Sequence, residues 1–186
     1  LRDRVAMGED LTSLLTNAPG SFAIREGFDS KNRFRGLQLG FIYQANFRRA
    51  WLESMLRIAI GTNRQSVSIR GGTAITEFGE TENYTGGLRA QRTNIGDYKR
   101  DQFAMVPEIG LTAGFRITKG RHATFGYTVL YLPNVARAGD QIDRHVNRNL
   151  IPEEQVPLEG PLLPQFQWVE SDYWAHGINL GAEFTY

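Results

Sequence analysis

The sequence predicts an all-β protein: an antiparallel, up-and-down transmembrane β-barrel with about six visible strands. Residues 1–186 then form a single barrel domain or the C-terminal portion of a larger one. Three observations carry this expectation. The last stretch, Asp172 to Tyr186, alternates with a period of two, which is the signature of a strand whose faces meet different media. Trp174, Ile178, Leu180, Ala182, Phe184 and Tyr186 share one face, broken by His176, against Ala175, Gly177, Asn179, Gly181, Glu183 and Thr185. No run reaches the ~18 apolar residues of a membrane helix, and barrel strands need none because alternation dilutes them. Connections between strand-like stretches run long, short, long, short, long, an asymmetry of outer-membrane barrels that a soluble barrel has no reason to show.

In chain order, Leu1 to Thr16 has a weak parity from Val5, Met7 and Leu11. Residues 17–32, with Pro19, Gly20, Gly27, Asp29 and Ser30, read as a long outer loop. Arg33 to Ala45 sets Leu37, Leu39, Phe41 and Tyr43 against Gly36, Gln38, Gly40 and Gln44, with Ile42 the exception. After a short turn at Asn46–Arg49, a strand from Ala50 places Leu52, Leu56, Ile58 and Ile60 opposite Trp51, Glu53, Met55, Arg57, Ala59 and Gly61. It continues through Val67 and Ile69 to Gly71-Gly72, read as a hairpin with a return strand over Thr73–Phe78. Residues 71–97 form the second long outer loop, which includes that return strand and a Gly-, Thr- and Asn-rich stretch from Glu80.

Tyr98 to Ile117 alternates most cleanly. Phe103, Met105, Pro107, Ile109, Leu111, Phe115 and Ile117 oppose Arg100, Gln102, Ala104, Glu108, Gly110, Thr112, Gly114 and Arg116. Pro107 lacks a ladder donor, so a bulge or unpaired position is expected there. A tight turn at Thr118–Arg121 leads to Phe125, Tyr127, Val129 and Tyr131 against Thr124, Gly126, Thr128 and Leu130. Residues 133–171 hold five of the seven prolines and form the third long outer loop, with six acidic residues against three arginines. Arg48, Arg49, Lys119 and Arg121 mark the short turns, which fall on the periplasmic side if the C-terminus does.

The totals exclude several function classes. The net charge of +1 predicts neither nucleic acid nor an anionic surface as a partner, and the absence of cysteine rules out a disulfide framework or thiolate metal site. Leu1 begins without a signal peptide, as in a mature or trimmed chain, and the expected missing strands would precede it.

If the apolar face meets lipid, the other lines the lumen. The pore-lining candidates are Gln38, Gln44, Glu53, Arg57, Gln102, Glu108, Arg116, Asn179 and Glu183, with Arg100 on the same parity. Mixed charges on a lumen tune which solutes pass, whereas in a narrow barrel they pair and fill it. Tyr43, Phe125, Tyr127, Tyr131, Trp174, Phe184 and Tyr186 are the membrane-interface candidates, since aromatic girdles flank the apolar band of such barrels.

Several stretches resemble one known family. They are Asn32-Arg33-Phe34-x-Gly36-x-Gln38-Leu39-Gly40 and Gly86-Gly87-Leu88-x-Ala90-Gln91-x-x-Asn94-Ile95-Gly96-x-Tyr98-x-Arg100-Asp101-x-Phe103-Ala104-x-Val106-Pro107-Glu108. Phe125-Gly126-Tyr127-Thr128-x-Leu130-Tyr131, Gly139-Asp140-Gln141-Ile142-Asp143-Arg144 and Trp174-Ala175-x-Gly177-Ile178-Asn179-x-Gly181-x-Glu183-Phe184 complete the set. Together, from about Arg33 to Tyr186, they resemble the outer-membrane β-barrel porin-like proteins of planctomycete bacteria. The resemblance implies an outer-membrane barrel longer than this chain, and it carries no catalytic residues and no assigned substrate.

The function expected is a porin-like passive channel for small solutes. The alternative is a non-conducting structural, adhesion or assembly barrel of the cell envelope, which would draw on the acidic loop with Trp168 and Tyr173. Expected partners are outer-membrane lipid and the barrel-assembly machinery, engaged through the C-terminal aromatic strand, with oligomer formation open. No cofactor and no metal are expected. Asp140, Asp143, Asn147 and Asn149 lack EF-hand order and fit Asx turns, and His122, His145 and His176 have no metal-pair spacing. No nucleophile elbow or phosphate loop is present, so the chain is not expected to be an enzyme. A soluble ligand-binding barrel would invert the faces and bury Leu37, Phe41, Leu111 and Tyr127.

Overall fold

The computed structural model describes residues 1–14, 19–118, 120–152 and 160–184. Strands β1 (Arg2–Thr12), β2 (Gly20–Asn46), β3 (Ala50–Glu77), β4 (Glu80–Thr85), β5 (Gly96–Thr118), β6 (Arg121–Val135) and β7 (Ser171–Phe184) form one sheet. Its order is β1-β2-β3-β5-β6-β7, with β4 on β3, and the β1–β2, β3–β4, β5–β6 and β6–β7 pairs are antiparallel. The all-β, antiparallel expectation is met, in an arrangement consistent with part of a barrel.

Two stretches differ from the expectation. In the expected loop 17–32, residues 20–32 are strand: β2 begins at Gly20 and pairs with β1 from Ser21↔Thr12 to Lys31↔Arg2. Bidentate Arg4–Asp29 contacts (2.7 and 3.0 Å) and Arg25–Asp10 (2.7 Å) link these strands across their polar face. Such pairs between distant segments leave no local trace in sequence. Gly71-Gly72 is not a turn but lies inside β3. Added to Gly71, a Cβ would meet Ala90 O at 2.6 Å, so this glycine admits the 87–90 backbone. The hairpin turns instead at Phe78 and Gly79, both with positive φ (49° and 86°), a two-residue type I′ connection to β4. At its tip Glu77 faces Glu80 and Phe78 is 76% exposed, while Thr76 and Thr81 hydroxyls pair at 2.8 Å. At its base Thr73 Oγ1 donates to Gly86 O (2.7 Å), and Gly86 N donates to Gly71 O (3.0 Å). The β5–β6 ladder starts at Glu108↔Leu130, just past Pro107, and its register shifts between Arg116 and Thr118.

The chain divides into two compact units. The first comprises Leu1–Arg33, Arg64–Arg100 and Ala136–Glu170; the second comprises Phe34–Asn63, Asp101–Val135 and Ser171–Tyr186. The first holds a conventional core of Phe28, Val67, Ile69, Ala90, Ala136 and Ala138, flanked by Val5, Met7, Tyr98, Phe166 and Trp168. Each large apolar side chain buried this way contributes roughly 1.5–3 kcal/mol. The buried positions are even-numbered on β2 (Ile24 to Asn32) and odd-numbered on β3 (Asn63 to Ile69).

Polar side chains tie this unit's long connections to its strands. Glu26 accepts from Arg89 N (2.6 Å) and Ala90 N (2.7 Å). The Asn32 amide both accepts from Ala136 N (2.9 Å) and donates to Ala136 O (2.8 Å), imitating a strand partner. Gln141 donates to Val169 O at 2.7 Å, and Tyr98 stacks on Phe166 at 3.6 Å. Arg100 donates to Gln65 Oε1 (2.7 Å), pairs with Glu170 and lies 4.2 Å from the Trp168 ring. Asn147 accepts from Asn149 N at 3.1 Å, a local turn contact of the sort read for these residues.

Asp143 accepts from Gln165 N and His145 N, each at 2.9 Å, and contacts His145 Nδ1 at 2.8 Å. Burial pushes its carboxyl up, but the backbone hydrogen bonds and His145 outweigh burial and hold it below the ordinary carboxylate value. A depressed pKa contributes stability that is present above the unfolded carboxylate range and lost as pH falls through the folded value. Protection of the Gln165 amide from hydrogen exchange, taken relative to the free-peptide rate at each pH, should therefore fall on acidification only below pH ~4, the ordinary carboxylate range. An Asp143→Asn variant should lack that step.

Candidate functional site

The second unit is built the opposite way. Leu39 and Leu180 are each 80% exposed, and Leu37, Phe41, Phe103, Ile109, Leu111, Phe115, Phe125 and Ile178 are exposed as well. Its few buried side chains are small or polar, with Val135 at the end of β6, and the glycines at 110, 114 and 126 are buried. The inversion that a soluble barrel requires is absent: Leu37, Phe41, Leu111 and Tyr127 all lie open.

The opposite face is smooth and hydroxylated. Strand register sets Gly110 beside Thr128 and Gly177, Thr112 beside Gly126 and Asn179, and Gly114 beside Thr124 and Gly181. Each glycine faces a small polar neighbour, which gives a shallow chequered wall of hydroxyls and backbone. On β3, Met55 packs over Gly110, and the Trp51 indole occupies the space that a Cβ on Gly114 would take. Trp51 also meets the His122 ring edge-on, with centroids 5.6 Å apart.

Of the nine pore-lining candidates, Arg57 and Glu108 come together, with Nη1 3.7 Å from Oε1. Arg116, His122 and Glu183 share one cross-strand row, His122 Nδ1 lying 3.8 Å from Glu183 Oε2. Gln44 donates to Asn46 at 2.8 Å, and Gln38 and Asn179 are exposed. Glu53 and Gln102 are half-buried. The sequence places Trp51 on this face, as found, but sequence reasoning missed His122. Its parity, shared with Thr124 and Gly126, was the signal that could have found it.

On the apolar face, Tyr131 and Trp174 lie opposite each other with rings 4.4 Å apart, and Tyr127 Oη sits 3.1 Å from His176 Nδ1. Tyr43, Phe125 and Phe184 are exposed. Tyr186 and the turn residue Lys119 lie outside the described residues, as do Glu153, Glu154 and Glu159 of the acidic loop. Among the described residues, no group of three His, Asp or Glu side chains is placed to hold a metal ion.

A family model described as "Putative beta barrel porin-7 (BBP7)" matches residues 1–186. No curated protein and no solved structure matches the chain.

The Trp51–Gly114 fit makes a direct prediction. Gly114→Ala should cost ~1–3 kcal/mol of unfolding free energy by overpacking. In a Trp51→Ala background the same change should cost much less. Urea titration of the folded protein in detergent reads both, and equal costs in the two backgrounds would reject the contact.

Proposed function

The chain belongs to the beta barrel porin-7 (BBP7) family, and from that membership we propose that it is a porin-like passive channel for small solutes. A porin family implies an outer-membrane location. In this reading the apolar face of the second unit meets lipid and the Thr–Gly face lines the water path. The observation that carries it is the exposed apolar set from Leu37 to Phe184, set against a small, polar opposite face. Left in water, that many large apolar side chains would forfeit the burial that normally stabilises a fold. In acyl chains they are at home.

Among the described residues, β7 has only β6 as a neighbour in the sheet. Inside a bilayer every backbone donor and acceptor needs a partner, and single-chain barrels start at about eight strands. Further strands therefore complete the ring in this proposal, and the C-terminus faces the periplasm, where β7 engages the barrel-assembly machinery. The planctomycete affiliation rests on the motif resemblance alone. A non-conducting envelope barrel is the competing reading.

Planar-bilayer recording tests the channel: ohmic steps are expected, and an inserted, folded protein that stays electrically silent would favour the structural barrel. Glu108→Gln leaves Arg57 without its carboxylate, so the reversal potential in a salt gradient should shift toward anion preference. An unchanged potential would remove the pair from the solute path.

Leu111→Arg separates lipid from water on the outer face. At a bilayer midplane it should cost ~2–4 kcal/mol, whereas at a watery surface it should stay within about 0.5 kcal/mol. Unfolding titrations in lipid vesicles give the number.

A further inference from the structure

On the first unit, β1, β2, β3 and β5 line an open groove of about 260 Å³, with the core residue Val67 and the buried Ser30 among its lining. Arg2, Lys31 and Lys99 line it together with the hydroxyl-bearing Ser66 and Ser68. Two carboxylates also reach it. Arg4 grips Asp29 at 2.7 and 3.0 Å with Arg2 3.7 Å away, and Arg70 donates to Asp97 at 2.6 Å, with the Ser68 hydroxyl and the Lys99 charge also drawn to Asp97. Arg2, Arg4, Lys31, Arg70 and Lys99 thus face two carboxylates, and the groove keeps a positive balance.

The position of these cations along their strands is informative. On β2 one parity reads Lys31, Arg33, Arg35 and then Leu37, Leu39, Phe41 and Tyr43. On β5 it reads Lys99 and Asp101, then Phe103 and Met105. On β2, cations followed by an apolar run give the order in which a phospholipid presents phosphate and then acyl chain, whereas on β5 Asp101 stands between Lys99 and that run. On β6 and β7 the same approach to the apolar run carries Tyr131 and Trp174 instead. The basic approach is therefore centred on β2 and is not a uniform belt.

Resting on the membrane reading above, we propose that the groove, with Arg33, is a binding site for the phosphate of an anionic lipid headgroup. Lysine and arginine hold phosphate by charge-assisted hydrogen bonds, and their long stems follow apolar surface while the charged head reaches the interface. The Ser66 hydroxyl supplies a neutral donor to the same oxygens. Attraction of basic groups to an anionic membrane surface adds to this and fades with salt.

The test uses the full chain. It is first folded into phosphatidylcholine vesicles and checked by flotation. Failure to enter them overturns the membrane reading and this site with it. Extracted protein is then offered equal phosphatidic acid and phosphatidylcholine, and retained lipid is read by native mass spectrometry. Wild type should keep phosphatidic acid in preference. A Lys31→Gln, Arg33→Gln, Lys99→Gln variant that still enters vesicles should lose that preference several-fold, and added salt should weaken it in wild type. An Arg48→Gln, Arg49→Gln control, altered at the short turn, should behave as wild type. Equal retention by wild type and the triple variant overturns the site while leaving the barrel intact. So does an equal loss in the turn control, or displacement of the lipid by inorganic phosphate, which would mark a free-anion site.

Discussion

A strand has a period of two, and a slip of one residue would send every side chain to the wrong medium. Everything else in this protein depends on that constraint. The Phe28, Val67 and Ile69 core fixes which residues of β2 and β3 turn inward in the first unit. With even positions buried on β2, the parity places Leu37, Leu39 and Phe41 on the other side. A packed core thus sets the register of strands whose later residues have no core of their own. The same strand carries two codes: apolar on the buried parity up to about Phe28, and apolar on the open parity from Leu37 onward.

Two of the motifs that carried the family resemblance, over residues 86–95 and 139–144, sit where long connections are tied down. Gly87 lies against the Glu26 side chain, which receives the Arg89 and Ala90 amides. Gln141 and Asp143, from the Gly139–Arg144 run, hold Val169 and Gln165. A buried acceptor or amide without a partner costs about 1–3 kcal/mol, so each tie constrains both its ends. Backbone satisfaction thus gives each of these residues a structural part.

Much of the second unit was legible in the sequence because its faces differ so sharply in chemistry. Alternation over Tyr98–Ile117 and over the last strand, and the short connections around Phe47–Arg49 and Gly120, needed no tertiary information. The first unit was harder. Residues 20–32 carry Arg25, Asp29 and Lys31 on one parity and Glu26, Ser30 and Asn32 on the other, so neither face looks oily. Their place between β1 and β3 in the sheet makes a strand of them. Gly71-Gly72 misled because a glycine needed for close approach has the same letter as one needed for a turn. The actual turn, Phe78-Gly79, opens with a residue that seldom takes a positive φ. Within the candidate site, charges were placed by parity, but the Arg57–Glu108 pairing and the Trp51–Gly114–His122 stack depend on which strands are neighbours.

The β3–β4 ribbon has unequal ends. At its tip two glutamates oppose each other across the ladder, and like charges directly opposite weaken a strand pair. At its base the Thr73 hydroxyl and the Gly86 amide clamp the two strands. Thermal fraying therefore starts at Phe78 and is arrested near Thr73. The ribbon behaves as a frayed lace with a knot at its root, so motion or proteolytic damage at the tip need not travel down β3 to the strands that carry the rest.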